Sequence, residues 1–177
     1  MEIKISPHSR DRSKKVKGVI IHSIGEYIKD HGYCIDFLDK IKLSAHYFIS
    51  PGGKVIQCVN PSQVAFHAGA SSWKGEKNLN ETYIGIELMI PGEHDFSSFL
   101  KAIKSPLNFS NAQYKKCAQL CNSLCKEFDI SPEYILRHSD VSGPSVRKDP
   151  KEDPGEGFSM KVLKDLMIVK KFIAENK

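Results

Sequence analysis

The sequence lacks a run of apolar residues near the length of about 18 that a membrane-spanning helix needs. Its N-terminus, MEIKISPHSRDRSKK, also lacks the apolar core of a signal peptide. We therefore expect a soluble protein without a membrane span, located in the cytoplasm. A periplasmic or secreted protein is the alternative if the sequence has been trimmed.

A strong excess of charge of either sign is missing as well. The sequence has 26 Lys and Arg residues against 21 Asp and Glu residues, a formal net charge of +5, which would help to attract an anionic ligand. No basic stripe with interleaved aromatic residues is present. The longest basic cluster, 10–17, also carries Asp11 and is typical of a solvated loop. We expect no nucleic-acid partner.

Internal repeats and low-complexity tracts are also absent. The 177 residues are enough for one domain with its own hydrophobic core. A hydrophobic fraction of 40% and a charged fraction of 27% are ordinary for a globular protein. We expect a single domain over residues 1–177.

The five cysteines do not make an evident metal motif. Cys117, Cys121 and Cys125 are spaced four apart on a predicted helix and share a stripe with apolar residues. We interpret them as small core residues in a reducing compartment. The alternative is a metal or cluster site. It needs a fourth ligand that we cannot place, and a regular helix spreads the three thiolates along its axis.

Apolar runs that predict strands alternate with helical patterns. The predicted strands are 16–21, 44–50, 54–59, 83–90 and 134–137. A Pro-Gly-Gly turn joins the second and third as a hairpin. Ser110 and Gln113 form a capping box for a helix that runs to Phe128. Ser159 caps a last helix that runs to about Ala174. This mixture predicts an α/β fold, a mixed central sheet flanked by helices.

Three stretches, 60–82, 92–109 and 139–157, fit no regular structure. The first is rich in Asn, Ser, Gly and His, and the last in Pro, Gly, Asp and Lys. Long irregular loops in a compact domain are usually functional or disordered. The first and last both follow predicted strands, which would bring them together at one end of the sheet.

Two of the seven histidines, His22 and His138, stand where a predicted apolar strand ends. A side chain there is held rigidly at the rim of the sheet, and neutral imidazole is the commonest zinc ligand. A catalytic zinc needs three protein ligands and an open position. A carboxylate of the acid-rich loop after His138 would be the third ligand, and local sequence does not choose between Asp149 and Asp153.

Glu87 lies inside an otherwise apolar run, YIGIELMI. A carboxylate in a strand interior costs free energy unless it is paired or works in a site. Strand alternation places Glu87 on the face opposite Ile86 and Leu88. One interpretation is a structural salt bridge. The other is a general base beside a metal, which takes a proton from water whose pKa the metal lowers to about 7.

Six segments occur in a characteristic order: VIIHSI, SAHYFISPGGKVIQCV, AFHAGASSW-x-G, YIGIEL, RHSDV and KEDPGEGF. They resemble the motifs of the type 2 N-acetylmuramoyl-L-alanine amidases, the AmpD/AmiD group, which are related to the peptidoglycan recognition proteins. The resemblance covers about residues 17–158. It implies zinc-dependent hydrolysis of the amide between N-acetylmuramic acid, or its 1,6-anhydro form, and the L-alanine of peptidoglycan stem peptides. The implied partner is peptidoglycan or a muropeptide.

The resemblance also implies the metal ligands, with the zinc site at one end of the sheet. They would be His22, His138 and the aspartate of KEDPG, Asp153. An insertion around GPSVRKDP lengthens the gap after His138 and contains its own K-D-P, which keeps Asp149 as the alternative third ligand. Asp153 is preferred because P-G-E-G-F follows it.

Four further residues receive roles from the resemblance. Glu87 would be the general base, and Lys151 would stabilise the developing oxyanion. His67 would contact the substrate, and Trp73 would stack against a sugar ring. Two departures are Ser23, where the family often has Asn or Tyr, and a longer region 92–109, which bears on substrate choice. A non-catalytic peptidoglycan-binding module is the alternative function, but such relatives lose zinc ligands, and here every candidate position is filled.

The remaining histidines are interpreted as lying outside the ligand set. We expect His46 to be a packed residue near the site. We expect His8, His31 and His94 to be surface residues. Asp140 is expected to be a hydrogen-bonding loop residue.

Overall fold

The computed structural model describes the backbone of residues 1–175 and the side chains of residues 1–168. In chain order the strands are β1 (Glu2–Ile3), β2 (Ser9–Asp11), β3 (Gly18–Ile28), β4 (Gly32–Tyr33), β5 (Tyr47–Ile49), β6 (Val55–Gln57), β7 (Gln63–Ala65), β8 (Ser72–Trp73), β9 (Glu76–Lys77), β10 (Tyr83–His94) and β11 (Ile135–Arg137). The helices are α1 (Cys34–Lys40), α2 (Phe96–Ala102), α3 (Asn111–Phe128), α4 (His138–Val141) and α5 (Met160–Glu175). Short 3-10 helices are Leu79–Glu81, Pro106–Asn108 and Pro132–Tyr134.

Seven of the described strands form one mixed sheet, in the order β1-β6-β5-β10-β3-β11, with β4 paired to the C-terminal end of β3. β10 lies parallel to both β3 and β5, and β11 lies parallel to β3. β5 and β6 form the predicted antiparallel hairpin. The α/β fold with a mixed central sheet and flanking helices is confirmed.

The register of β3 and β10 decides which side chains share a face. Glu87 pairs with His22, and Ile86 pairs with Ile21. Alternation therefore puts His22 and Glu87 on one face and the two isoleucines on the other. The isoleucine face is buried in a core cluster that includes apolar side chains of α3 and α5. The polar face is the one turned away from these two long helices.

The capping residue Gln113 also anchors α3 to the sheet. Ser110 and Gln113 form the predicted capping box. The buried amide of Gln113 donates in addition to the carbonyl oxygens of Ile49 and Met89, at 3.2 and 2.8 Å. One side chain thus satisfies the helix start and two carbonyls on neighbouring strands. Within the described residues, no helix combines the length and the apolar character needed to cross a membrane.

Two strands are longer than predicted, which corrects the position of His22. β3 continues to Ile28, so His22 lies inside the strand and not at its end. The added residues are paired on one side with the extension of β10 and on the other with β4. β10 continues to His94 through a register shift between Ile90 and Glu93, where Pro91 and Gly92 interrupt regular pairing.

The prediction that region 92–109 is irregular was wrong. It holds α2, which begins with a capping box between Asp95 and Ser98. It also holds a 3-10 helix at Pro106–Asn108. The interpretation of 10–17 as a solvated loop was wrong for Arg12, which is half-buried.

Arg12 acts as a clamp between segments of the chain. Its guanidinium donates to the carbonyl oxygens of Pro61, Gln63, Asn80 and Glu81. A single cation therefore ties the start of β7 to the turn that precedes β10. Burial, with a smaller contribution from Arg10, lowers the pKa of Arg12 to about 10, which leaves it charged at neutral pH.

The cysteine stripe of α3 lies in the core, as predicted. Cys117 and Cys121 are fully buried, and Cys125 packs against the same cluster. All five cysteines of the chain are free. Within the described residues, the group of side chains placed to hold a metal contains no cysteine.

Replacing Cys117, Cys121 and Cys125 together by alanine is expected to lower the melting temperature and leave bound metal and activity unchanged. Each truncation leaves a small cavity that costs about 1 kcal/mol. Thermal unfolding and elemental analysis of the same preparation measure both properties. Ser123→Ala, exposed on the same helix, is the matched control and should change neither. Metal loss in a folded triple variant would contradict the core interpretation.

Candidate active site

Three side chains on the polar face of the sheet form a cluster that could hold a metal ion. His22 comes from β3, His138 opens α4 directly after β11, and Asp153 lies in the segment that follows α4. The Nδ1 atom of His138 is 3.0 Å from both carboxylate oxygens of Asp153. The Nδ1 atom of His22 is 3.2 Å from Oδ2. All the potential ligand atoms lie within 4.8 Å of one another.

The other ring nitrogen of each cluster histidine, Nε2, makes a hydrogen bond to a residue outside the cluster. His138 Nε2 donates to the carbonyl oxygen of Ala68 at 3.2 Å. His67 Nε2 donates to the carbonyl oxygen of Tyr83 at 3.2 Å, which leaves His67 Nδ1 to accept from His22 Nε2 at 3.0 Å. These partners assign the proton to Nε2 in both cluster histidines.

The tautomers make the cluster a site for a cation. Both Nδ1 atoms then present lone pairs toward Asp153, whose oxygens are also acceptors. Three acceptors facing one another are stabilised by a positive ion between them. Hydrogen bonds from the outer ring nitrogen to a carbonyl or to a neighbouring side chain are how proteins orient metal-binding histidines.

Burial also favours the protonation states that bind metal. It lowers the pKa of His22 to about 4, with His138 adding to the effect, and it lowers the pKa of His67 well below the usual value. Both imidazoles are therefore neutral at pH 7.

Glu87 shares this face, and among the described residues it has no hydrogen-bond or ion partner. It is the register partner of His22 and only 8% exposed. Its Oε2 atom is buried without a hydrogen bond, and the described residues give it no salt bridge. The salt-bridge interpretation of Glu87 therefore lacks support. Burial, with a smaller contribution from Asp153, raises the pKa of Glu87 well above its ordinary value. A buried carboxyl group with a raised pKa in a cleft is typical of a general acid or base.

A cavity of about 520 Å³ opens over the cluster. Six of the seven predicted site residues line it, and they are His22, His67, Glu87, His138, Lys151 and Asp153. The stretches 60–82 and 139–157 meet here as predicted, since the Ser142 hydroxyl donates to the Ala70 carbonyl oxygen at 2.9 Å. The prediction that 60–82 is irregular was wrong, because it holds β7, β8, β9 and a 3-10 helix. The cavity continues as an apolar arm along the end of β3 toward α1 and α2.

The structure brings Asp153, and not Asp149, to the two histidines. The Asp153 carbonyl oxygen accepts from the Ser139 backbone N–H at 3.0 Å, which ties the segment to α4. The Asp149 carboxylate is exposed and bound by the guanidinium of Arg147, at 2.6 and 3.1 Å. Asp140 is a hydrogen-bonding residue, as predicted, and accepts from the Arg137 backbone N–H at 2.8 Å, but it lies in α4 and not in a loop.

Trp73 is the predicted site residue that the structure does not bring to this cavity. The β8–β9 hairpin places it in a separate depression, together with Tyr83 and Tyr134. It packs against an apolar cluster that includes Tyr83. Stacking of Trp73 on a sugar held at the metal cluster is therefore not supported by its position.

Sequence reasoning missed two residues that hold His67 in place. Asn80 Oδ1 accepts from the backbone N–H groups of His67 and Ala68, at 3.1 and 2.7 Å. Gly85 lies directly under the His67 ring, because a Cβ atom there would be 2.5 Å from His67 Cγ. The sequence did carry a signal for Gly85, because a glycine inside a strand often marks a place where another group approaches the backbone closely.

The other histidines divide in three ways. His46 is packed near the site, as predicted, and its Nδ1 accepts from the Gly85 backbone N–H at 3.0 Å. His31 is exposed, as predicted, whereas His8 is half-buried with Nε2 at 2.8 Å from the Asp39 carbonyl oxygen. The prediction for His94 was wrong, because it is half-buried and lines the cavity.

Gly85→Ala is expected to weaken metal binding about 10- to 100-fold, the usual effect of losing a residue that orients a ligand. The new methyl group would push the His67 ring away and deprive His22 Nε2 of its acceptor. Titration with zinc in competition with a chelator measures the effect. Gly52→Ala is the matched control, because the nearest atom to its Cβ would be 3.9 Å away. Unchanged zinc affinity in Gly85→Ala would contradict the role of His67.

Comparison with known proteins decides the family. The profile described as N-acetylmuramoyl-L-alanine amidase matches residues 12–156, most of the chain. The chain belongs to the type 2 N-acetylmuramoyl-L-alanine amidase family. The resemblance inferred from the six ordered segments is confirmed.

Two relatives show how this member compares with the rest of the amidase family. The chain is 30% identical over 156 residues to the N-acetylmuramoyl-L-alanine amidase AmiD of Escherichia coli, covering 84% of this chain and 52% of AmiD. It is 29% identical over 174 residues to the 1,6-anhydro-N-acetylmuramyl-L-alanine amidase AmpD of Haemophilus influenzae, covering 86% and 84%. The chain thus spans about half of AmiD and most of this AmpD.

Solved structures of the amidase family share the fold. A selenomethionine derivative of AmpD superposes with a TM-score of 0.74 at 24% identity, covering 93% of each chain. AmiD from E. coli, in complex with anhydro-N-acetylmuramic acid-L-Ala-D-γ-Glu-L-Lys, gives a TM-score of 0.63 at 23% identity, covering 87% of this chain and 59% of AmiD.

Proposed function

We propose that the protein is a zinc-dependent amidase that hydrolyses the bond between N-acetylmuramic acid, or its anhydro form, and L-alanine of peptidoglycan stem peptides. One observation carries the proposal. In a member of the amidase family, two histidines with Nδ1 turned inward meet a carboxylate beside Glu87, whose Oε2 atom is buried without a hydrogen bond from any described residue.

The donor set fits zinc. His22, His138 and Asp153 supply two nitrogen ligands and one oxygen ligand, and three protein ligands with an open position are the usual catalytic arrangement. A zinc ion bound there would supply Lewis-acid chemistry, polarising the amide carbonyl and lowering the pKa of water.

Glu87 is the proton carrier in this proposal. It lies on the same face as His22, one strand away, and lines the same cavity. Its high pKa suits a group that accepts a proton from the attacking water and then gives it to the departing alanine nitrogen. The absence of a hydrogen-bond partner for Oε2 leaves this atom available to water or substrate.

Lys151 and His67 support the reaction in different ways. Lys151 lines the cavity, and its backbone N–H donates to the Ser142 carbonyl oxygen at 3.0 Å, which positions the residue. Its ammonium group would stabilise the negative charge that develops on the carbonyl oxygen. His67 keeps His22 in the required tautomer and orientation.

A peptidoglycan-binding module without activity is the second candidate function. A binder has no need of the complete ligand set, which argues against it. Elemental analysis separates the two functions, because the amidase should hold about one zinc per chain and the binder none.

Mass spectrometry of products tests the reaction and the substrate. The AmpD relatives are described as acting on the 1,6-anhydro form, and the AmiD complex contains an anhydro substrate. We therefore expect zinc-loaded protein to release peptide from an anhydro-muropeptide, and to lose this activity when zinc is chelated. Polymeric peptidoglycan, assayed in parallel, reports whether intact wall is also a substrate. Absence of release from both substrates by zinc-loaded protein would overturn the proposal.

A further inference from the structure

The cavity contains a cation that the reaction does not use. The side chain of Arg147 lines it and is 19% exposed. Its backbone N–H donates to the Gly143 carbonyl oxygen at 3.2 Å, which closes a turn between α4 and Asp153. This turn belongs to the insertion around GPSVRKDP. Arg147 is therefore held at the cavity by the segment between α4 and Asp153.

The charges of the cavity are separated along its length. Arg147 and Lys151 both line the cavity from the segment that follows α4, and Arg147 Nη1 lies near Gly69. The arm along the end of β3 is lined by apolar side chains, among them Ile28, Phe37 and Phe99, and it carries Asp95. An anionic group of a ligand is therefore favoured at the Arg147 end and disfavoured at the Asp95 end.

Arg147 already binds the Asp149 carboxylate in the two-point geometry that a planar guanidinium favours. Nε and Nη2 contact the two oxygens of Asp149 at 3.1 and 2.6 Å. This two-point geometry is the strong mode of arginine–carboxylate recognition. The Asp149 side chain is 73% exposed, and surface ion pairs of this kind contribute little to stability, so another carboxylate could replace it at little cost. Within the described residues, Nη1 makes no hydrogen bond, and it lies 3.7 Å from where a Cβ on Gly69 would be.

We propose that Arg147 selects stem peptides whose second residue carries a free α-carboxylate. This inference rests on the proposed function. The ligand of the AmiD complex contains D-γ-Glu after L-Ala. A γ-linked glutamate leaves its α-carboxylate free, one residue beyond the alanine of the bond to be cut. The peptide then extends toward the cationic end of the cavity, and the sugar occupies the apolar arm.

The test compares two substrates that differ in one group. N-acetylmuramoyl-L-Ala-D-γ-Glu-L-Lys carries the α-carboxylate free on its γ-linked glutamate, and its analogue carries an α-carboxamide of the same size there. Hydrogen bonds to charged groups contribute about 1.5–3 kcal/mol, so the wild type should prefer the acid about 10- to 100-fold in kcat/KM. Arg147→Gln should bring the ratio near unity, mainly through KM. Arg147→Lys, which keeps the charge and loses the two-point geometry, should retain a smaller preference.

Controls separate this inference from the proposed function. Asp149→Asn removes the internal carboxylate and should keep the preference for the acid. Calorimetric binding of the product peptides, L-Ala-D-γ-Glu-L-Lys and its α-amide, measures the same preference without turnover. A preference that survives in folded Arg147→Gln, or none in the wild type, overturns the role of Arg147. Carboxylate-selective binding without hydrolysis of either substrate would contradict the proposed function alone.

Discussion

Glu87→Gln is expected to lower kcat by about 10²–10⁴-fold, the usual contribution of a positioned general base. The substitution keeps the shape of the side chain and removes its ability to take up a proton. Bound zinc should stay at the wild-type level, because His22, His138 and Asp153 are untouched. KM should change little, since the proton moves only after the substrate has bound.

A structural role for Glu87 would give a different pattern. Its buried carboxyl group lacks a partner for Oε2, so replacement by Gln should not lower the melting temperature. Glu93→Gln is the matched control, because Glu93 is exposed on the same strand, and it should retain full activity. Rate, zinc content and melting temperature are measured on one preparation. A folded, zinc-loaded Glu87→Gln protein with near wild-type kcat would rule out the assigned role.

Removing any one of the three ligands is expected to abolish activity together with zinc binding. His22→Ala, His138→Ala and Asp153→Ala each leave two ligands, which is too few for a catalytic site. Elemental analysis after dialysis should show zinc well below that of the wild type. Activity should fall to the background, because the same ion would polarise the carbonyl and acidify water.

Asp149→Ala is the matched control for Asp153→Ala. Both aspartates stand in a K-D-P or K-x-D-P sequence, but the Asp149 carboxylate is exposed and bound to Arg147. Asp149→Ala should keep zinc and most activity on a substrate without the γ-linked glutamate. The reverse result, with zinc lost from Asp149→Ala and kept by Asp153→Ala, would show that the wrong aspartate has been placed in the site.

Local sequence patterns predicted most helices and strands, because capping boxes and turn residues act over only a few positions of the chain. The capping box at Ser110 and the Pro-Gly-Gly turn each act within a few residues. The true end of β3 was not predictable in this way, because residues after His22 are held by pairing with β4 and with the extension of β10. The start of α2 does carry a local signal, the capping box between Asp95 and Ser98.

The site residues also fall into those that local sequence predicts and those that only the three-dimensional structure identifies. His22 and His138 stood out because each follows an apolar strand, and Glu87 because a carboxylate inside an apolar run costs free energy unless it is paired or works in a site. Local sequence left Asp149 and Asp153 open, and only the three-dimensional arrangement places Asp153 at the histidines. The carbonyl acceptors of Ala68 and Tyr83, which set the histidine tautomers, belong to distant segments and leave no trace in the local sequence. The cytoplasmic location stays a prediction.

Hydrolysis in water enriched in oxygen-18 tests the central claim most directly, because it identifies the bond that is cut. Zinc-loaded protein is incubated with the anhydro form of N-acetylmuramoyl-L-Ala-D-γ-Glu-L-Lys, and the products are analysed by mass spectrometry. The proposed reaction predicts one heavy oxygen in the lactyl carboxylate of the muramic acid product and none in the released peptide, with no reaction after zinc is chelated. Heavy oxygen in the alanine carboxylate, or cleavage that persists without zinc, would contradict it.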